Sequence, residues 1–404
     1  MGNLRIALCA SGFATVTACG GRAAQAPPPA PPPAPVIPAL SVPPADVNPF
    51  DGARLYVNPD YAAEVRGAVG PATTAAEKAR LRKLAGLSTA VWLDSIAKAG
   101  TVAKTLDDAA VQQASGGGSP VLTVFVLYDL PNRDCAAASS AGELSVEHDG
   151  ERRYQTEYVD AIAAQFRSHP SQRIAAIVEP DSLANIATNL DKPKCAASQA
   201  AYVQGTAYVI RTLTMPNVSL YLDAAHAGWL GWSHNRDMIA RAYTRVFTQA
   251  GGQGRLRGFV TNVSNYNTLS AGEGAKLEPS DPAPDELTYV HKLDDTLAAA
   301  GIHAGGFVID TSRDGQPVPR AKWGSWCNVR GAGLGERPRA SPGPRIDAYY
   351  WVKPPGESDG TSDPSAPRYD AACGGPDSTP GAPQAGVFFP AYLSKLIALA
   401  NPPL

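Results

Sequence analysis

Seven short apolar runs, each ending at or just before a polar residue, constrain this chain more than any other feature. They are Ala90 to Asp94, Val121 to Asp129, Arg173 to Glu179, Val218 to Asp223, Gly258 to Asn262, Gly306 to Asp310 and Ala348 to Val352. Between most of them lie stretches with helical periodicity, at Tyr154 to Arg167, Ala197 to Leu213, Arg236 to Ala250 and Pro284 to Ala300, and a further one at Pro390 to Ala400 closes the chain. Strand, helix, strand at this spacing means parallel β/α units. No dinucleotide glycine fingerprint follows the first strand, which favours a closed barrel over a doubly wound sheet. The chain of 404 residues, 44% of them hydrophobic, is long enough for one large domain of that kind.

In a β/α barrel the active site forms at the C-terminal ends of the strands. Asp94, Asp129, Glu179 with Asp181, Asp223, Asn262, Asp310 and Lys353 all fall there. One strand-end Asp is usually a cap or turn residue. Repeated convergence points instead to chemistry that needs several carboxyl groups. Glycoside cleavage is such a chemistry, because one carboxylic acid must keep its proton to release the leaving oxygen while a second carboxylate serves the attacking side. Glu179-Pro180-Asp181 offers one pair and Asp129 to Asp134 another, with Arg133 expected to hold a neighbouring carboxylate ionised. Tryptophans in small, polar surroundings, such as Trp229 and Trp326, have the flat apolar faces that sugar rings stack on, and His226, Trp232 and Trp323 lie close by in sequence.

The ends of the chain and its cysteines speak to location. Residues 1–19 read as an export signal, with Arg5 before the uncharged stretch Ile6 to Ala18. Val16 to Gly20 resembles a bacterial lipobox, which leaves two alternatives, lipidation at Cys19 or plain cleavage and release. Residues 20–46 form a Pro/Ala-rich linker suited to an extended stalk, and 47–404 the folded domain. Outside the leader, Cys135, Cys195, Cys327 and Cys373 make an even set, so two disulfides are expected. Arithmetic allows three pairings. Cys135 with Cys195 and Cys327 with Cys373 is preferred, because each closes a loop around a suspected site segment. The cysteines lack metal-ligand spacing, and no metal or other cofactor is expected. With 35 basic and 37 acidic residues and no basic run, nothing suggests a nucleic-acid partner.

Several blocks together resemble glycoside hydrolase family 6, the inverting cellobiohydrolases and endoglucanases. They are Tyr128 to Ala137, Glu179 to Asn189, Leu222 to Trp232, Thr261 to Asn267, Trp323 to Asn328 and Trp351 to Gly360, and the likeness runs from Asn48 to the C-terminus. The resemblance implies a single-domain α/β fold, a distorted seven-stranded parallel β/α barrel (TIM-like). It implies Asp181 as general acid, Asp134 as the carboxylate that keeps it protonated and helps stabilise the transition state, and Asp359 as base, with indirect activation of water through a solvent chain as the alternative. Tyr128 would press on the distorted ring and Ser140 would hold the attacking water. Sugar contacts would come from Tyr56, Asn58, His226, Trp229, Asn265, Trp326, Lys353 and Glu357. The family's disulfide pattern agrees with the preferred pairing. Tyr56 stands where fungal members generally have Trp, and Ser358 where some relatives have Cys.

The expected function is inverting hydrolysis of a β-1,4-glucan by a secreted monomer, exo-acting because the segment from Lys353 to Gly386 is long. The alternatives are endo action, another glycan, or a non-catalytic surface carbohydrate-binding lipoprotein.

Overall fold

The computed structural model describes residues 46–117, 119–271, 278, 280–317 and 324–404. The signal, the lipobox, most of the linker and Trp323 lie outside the described residues.

Among the described residues, nine strands form one sheet: β1 (Arg54–Leu55), β2 (Val91–Leu93), β3 (Val121–Leu127), β4 (Arg173–Val178), β5 (Val218–Asp223), β6 (Leu256–Thr261), β7 (Gly306–Asp310), β8 (Arg339–Gly343) and β9 (Ile346–Tyr350). The seven runs singled out in the sequence are β2 to β7 and β9, all parallel, in the spatial order β2-β3-β4-β5-β6-β7-β9. The other two are short additions. β1 extends the edge of β3 beside β2, and β8 pairs antiparallel with β9.

The sheet curls until its ends meet. No strand ladder joins β2 to β9 among the described residues, but the Ala90 N–H donates to the Trp351 carbonyl at 3.1 Å and the Trp92 indole N–H to the Val352 carbonyl at 2.8 Å. That seam is what makes the barrel distorted.

Alternation along the strands divides the core in two. Leu122, Val124, Val126, Ala175, Ile177, Tyr221, Val260, Val308 and Ala348 belong to one buried cluster. The alternate residues Phe125, Leu127, Ile174, Ala176, Leu220, Leu222, Phe259, Phe307 and Ile309 pack with the helices at Asp160–Ser168, Pro193–Thr212, Ser233–Ala250 and Glu286–Ala299. Strands buried on both faces read as continuous apolar runs, which is why the sequence shows them so plainly.

Two differences from the expected elements bear on the site. The helix expected from Tyr154 opens as a π-helical turn, Tyr154–Val159, preceded by Gly150–Arg153. Helices at Pro59–Gly67, Ala75–Leu84, Val102–Ser115 and Ser182–Thr188 were not expected; the first two pack with the C-terminal helix Pro390–Ala398 in a separate apolar cluster.

Candidate active site

At the C-terminal ends of the strands lies a cavity of about 870 Å³. Tyr128, Asp134, Ser140, Asp181 and Asp359 all line it, as do Tyr56, Asn58, His226, Trp229, Asn265, Trp326, Lys353 and Glu357. Residues more than 300 positions apart in the chain thus meet in one space.

The loops that carry them are held in costly conformations. Non-glycine residues with positive φ gather just past the strand ends: Asn132 and Asp134 after β3, Glu179 and Asp181 after β4, Ala225 after β5, and Asn262 and Ser264 after β6. Such residues cost of order 1–3 kcal/mol each and persist where the surroundings over-determine them.

The bracing is visible. Glu179 accepts hydrogen bonds from the N–H groups of Asp129 and Leu130, at 3.1 and 3.2 Å, and from the Tyr154 hydroxyl at 2.7 Å. Tyr158, stacked on Tyr154, donates to the Leu93 carbonyl and accepts from the Tyr128 N–H. Two tyrosines of the π turn therefore tie β2, β3 and β4 together. Arg133 contacts the carbonyls of Asp94, Tyr128 and Ser140. Asp310 accepts from the N–H groups of Ser264, Ser312 and Lys353 at 3.0 Å each. Glu179 and Asp310, two of the strand-end carboxyls, are thus structural.

Arg133 differs from its expected role. Its Nη1 lies 3.8 Å from Asp129, yet burial outweighs that attraction and pushes the Asp129 carboxyl up to about 9. Its guanidinium mainly fixes loop backbone and sits 4.4 Å above the Tyr128 ring, which also meets Trp92 edge to face.

Asp181 sits among like charges. Its own N–H donates to Asp223 Oδ2 at 2.9 Å, and that oxygen also accepts from the Ala225 N–H. Burial first, then Asp223, then Asp134, drive the Asp181 carboxyl well above the usual carboxylate range. Burial raises Asp134 to about 6 against the pull of Arg133 and Lys194. Burial raises Asp223 to about 7 against the two N–H groups it accepts. Carboxyls crowded this way cannot all ionise, and the one facing two others keeps its proton.

Asp359 is surrounded in the opposite sense. Its carboxylate accepts Arg313 Nη1 at 2.8 Å on both oxygens, the Tyr266 hydroxyl at 2.6 Å and the Asn328 N–H at 2.9 Å, while its own N–H donates to Asn328 Oδ1.

The sugar-contact candidates also have fixed partners. Asn267 Nδ2 lies 2.7 Å from His226 Nδ1, and the Trp229 indole donates to Thr188 Oγ1 at 2.8 Å. Lys353 Nζ lies 3.6 Å from Glu357 and 5.5 Å from the Trp92 ring centre. Burial lifts Glu357 to about 7 despite Lys353. Asn58 caps the helix Pro59–Gly67 through Oδ1. Trp92, Trp232 and Asp94 line the cavity as well. Sequence reasoning passed over Trp92 although it sits inside an expected strand, and it gave Asp223 no part in setting the charge of Asp181.

Disulfides join Cys135 to Cys195 and Cys327 to Cys373, the preferred pairing. No cluster of metal-ligating side chains occurs among the described residues.

A model of the glycosyl hydrolases family 6 matches residues 50–400. The chain belongs to that family. It is 44% identical over 357 residues to a probable 1,4-β-D-glucan cellobiohydrolase C of Neosartorya fischeri, covering 88% of this chain and 79% of the relative. It is 42% identical to exoglucanase 3 of Agaricus bisporus, covering 88% and 80%. Among solved family 6 structures, the catalytic domain of CcCel6A complexed with p-nitrophenyl β-D-cellotrioside superposes with a TM-score of 0.85 at 43% identity, covering 89% of this chain and 99% of that one. Cellobiohydrolase II (Cel6A) from Humicola insolens, in complex with glucose and cellotetraose, gives 0.85 at 38% identity, covering 89% and 100%. The protein is a glycoside hydrolase, and the distorted barrel above is the family 6 fold.

Proposed function

We propose that this protein is an inverting, exo-acting cellobiohydrolase that releases cellobiose from the non-reducing ends of β-1,4-glucan chains. The relatives' names support the substrate class. The observation that carries exo action is the roof of the cavity. The Ala138 N–H donates to Asp370 Oδ2 at 2.9 Å and Arg368 Nη1 to the Ala141 carbonyl at 3.3 Å, linking the loop after β3 to the long C-terminal segment. Arg368 and Ser140 both line the cavity beneath. A chain end can thread under such a roof, whereas the middle of a chain enters only if the loops part.

In this reading Asp181 protonates the glycosidic oxygen as the bond to the anomeric carbon breaks, and water attacks that carbon from the opposite face. Ser140 holds the water. Asp134, raised to about 6, is suited to receive the water's proton through solvent. Asp359 already accepts four hydrogen bonds, so we assign it electrostatic support rather than direct deprotonation. Tyr128 presses on the ring beside the cut. Tyr56, Asn58, His226, Trp229, Asn265, Trp326, Lys353 and Glu357 contact the flanking sugars. Residues 1–19 act as an export signal and 20–46 as a linker, delivering a monomeric catalytic domain outside the cell, held there by lipid if Cys19 is modified.

The test is hydrolysis of cellohexaose with products and anomers resolved over time. Cellobiose as the dominant early product, in the inverted α configuration, is the expected result. Mixed lengths from the first minutes would mean endo action, β-configured products would remove the inverting mechanism, and absence of products would leave a binding protein.

A further inference from the structure

Several buried carboxyls take no part in the reaction as derived, and one of them reaches the sugar-binding wall. Glu286 opens the helix Glu286–Ala299, which Asp285 caps by accepting the Thr288 N–H. It has no exposed surface. Its Oε1 accepts the Ala227 N–H at 2.8 Å, and its carboxyl also faces the side chains of Thr261 and Asn267.

Those partners are the two supports of the His226 and Trp229 wall. Ala227 begins the four-residue helix Ala227–Leu230, whose Trp229 N–H bonds back to the His226 carbonyl at 3.0 Å. Asn267 holds His226 from the other side through the 2.7 Å contact at Nδ1. Asn267 is itself set by Asn262, which accepts its N–H at 3.2 Å and donates to its carbonyl and to that of Asp310 at 3.0 Å. His226 and Trp229 lie 6.0 Å apart, both on the cavity.

We propose that Glu286 is a positioning residue for substrate binding: it fixes the spacing of His226 and Trp229 by bracing Ala227 and Asn267 together. This rests on the reading of His226 and Trp229 as sugar contacts. Burial raises the Glu286 carboxyl to about 8, with Asp285 adding to the rise, and the nearby Asp314 carboxyl is itself driven well above the usual range, so the acid is neutral where a cellulase works at lower pH. A neutral acid can accept the Ala227 N–H with Oε1 and carry its proton on Oε2, which has no hydrogen-bond partner among the described residues. Glutamine has the same shape and the same pair of functions.

The experiment compares Glu286→Ala, Glu286→Gln and Trp229→Ala in the full-length enzyme on cellohexaose, with kcat and KM separated and thermal unfolding recorded. Glu286→Ala should raise KM about tenfold with kcat within about threefold, since losing the acceptor of the Ala227 N–H loosens the binding wall and the loss falls on binding. Glu286→Gln should restore KM to within about twofold of the parent. Should Glu286→Ala not fold, Asn267→Ser releases the His226 support alone and should still raise KM about fivefold. The proposal is overturned if KM stays at the parent value in the folded variants, if kcat falls as much as KM rises, or if glutamine fails to rescue. Trp229→Ala separates the two readings. An unchanged KM there removes the sugar-contact assignment itself, whereas a raised KM with a silent Glu286→Ala removes only the proposal.

Discussion

Two buried carboxyls at opposite ends of the barrel, Asp347 and Asp181, are held in opposite ways. At the end away from the cavity, Asp347 is gripped by Arg257 through paired bonds of 2.8 and 2.7 Å and by the Tyr221 hydroxyl at 2.7 Å, and Arg257 also donates to the Asp46 carbonyl where the described chain begins. At the cavity end, Asp181 faces Asp223 and Asp134 with no cation of its own among the causes that set its charge. A matched pair that keeps its hydrogen bonds supports the fold, and breaking it strands a charge. A crowd of carboxyls keeps one of them protonated at a pH where an isolated Asp would have ionised, at some expense to stability. The comparison predicts that stability and activity separate between these two groups.

Asp181→Asn should show the largest effect. Asn tolerates the left-handed φ of 67° at this position and keeps the side-chain shape, but it cannot give up a proton. We expect kcat on cellohexaose to fall by about 10³–10⁴, with binding retained and the melting temperature equal or higher, because the crowding is relieved. Turnover within about tenfold of the parent would mean that the proton donor lies elsewhere.

Arg257→Met should do the reverse. It removes the cation and leaves Asp347 with Tyr221, at a cost to unfolding free energy of about 3–5 kcal/mol. Activity per folded molecule should match the parent. Denaturant unfolding and active-site titration together read this out. A large drop in kcat of the folded fraction would show that the far end is coupled to the chemistry, and the division by ends would no longer hold.

The sequence showed the barrel because the parallel strands, all but β2 buried on both faces, leave short apolar runs at a regular spacing. Helices whose burial follows a stripe were visible too. The helix Ser182–Thr188 was not, because every residue from Ser182 to Ala187 is buried and no polar face marks its period. The strand β8, Arg339–Gly343, is half exposed and contains a proline, so it lacks the signature of an inner strand. Asp181 and Asp223 were legible as strand ends and Asp134 as the partner of Asp129, whereas Asp359, and the ranking of Asp181 and Asp134 with it, came from the family resemblance. What no local pattern shows is company: Asp359 meets Arg313 across 46 positions, Glu286 meets Ala227 across 59, and Asp181 meets Asp223 across 42. Charge and proton affinity depend on those meetings.

Asp129 gives the smallest and most specific test. Neither of its carboxyl oxygens has a hydrogen-bond partner among the described residues, and it is fully buried at the cavity end beside β3. Burial pushes it up to about 9, with Glu179 adding to the rise and Arg133 opposing it. An unfolded Asp titrates near 3.9, at about pH 4, so between there and pH 9 the folded state holds a proton that the unfolded state has released. Stability from this group is therefore fully present below about pH 4 and is lost as pH rises through that window. Asparagine has the shape of the neutral acid and does not ionise. Asp129→Asn should unfold like the parent near pH 4 and be more stable than it at pH 8, by at least about 1 kcal/mol. Urea unfolding at the two pH values decides it. An equal difference at both would mean that Asp129 does not titrate across this range and that Arg133, 3.8 Å away, holds it as Arg257 holds Asp347.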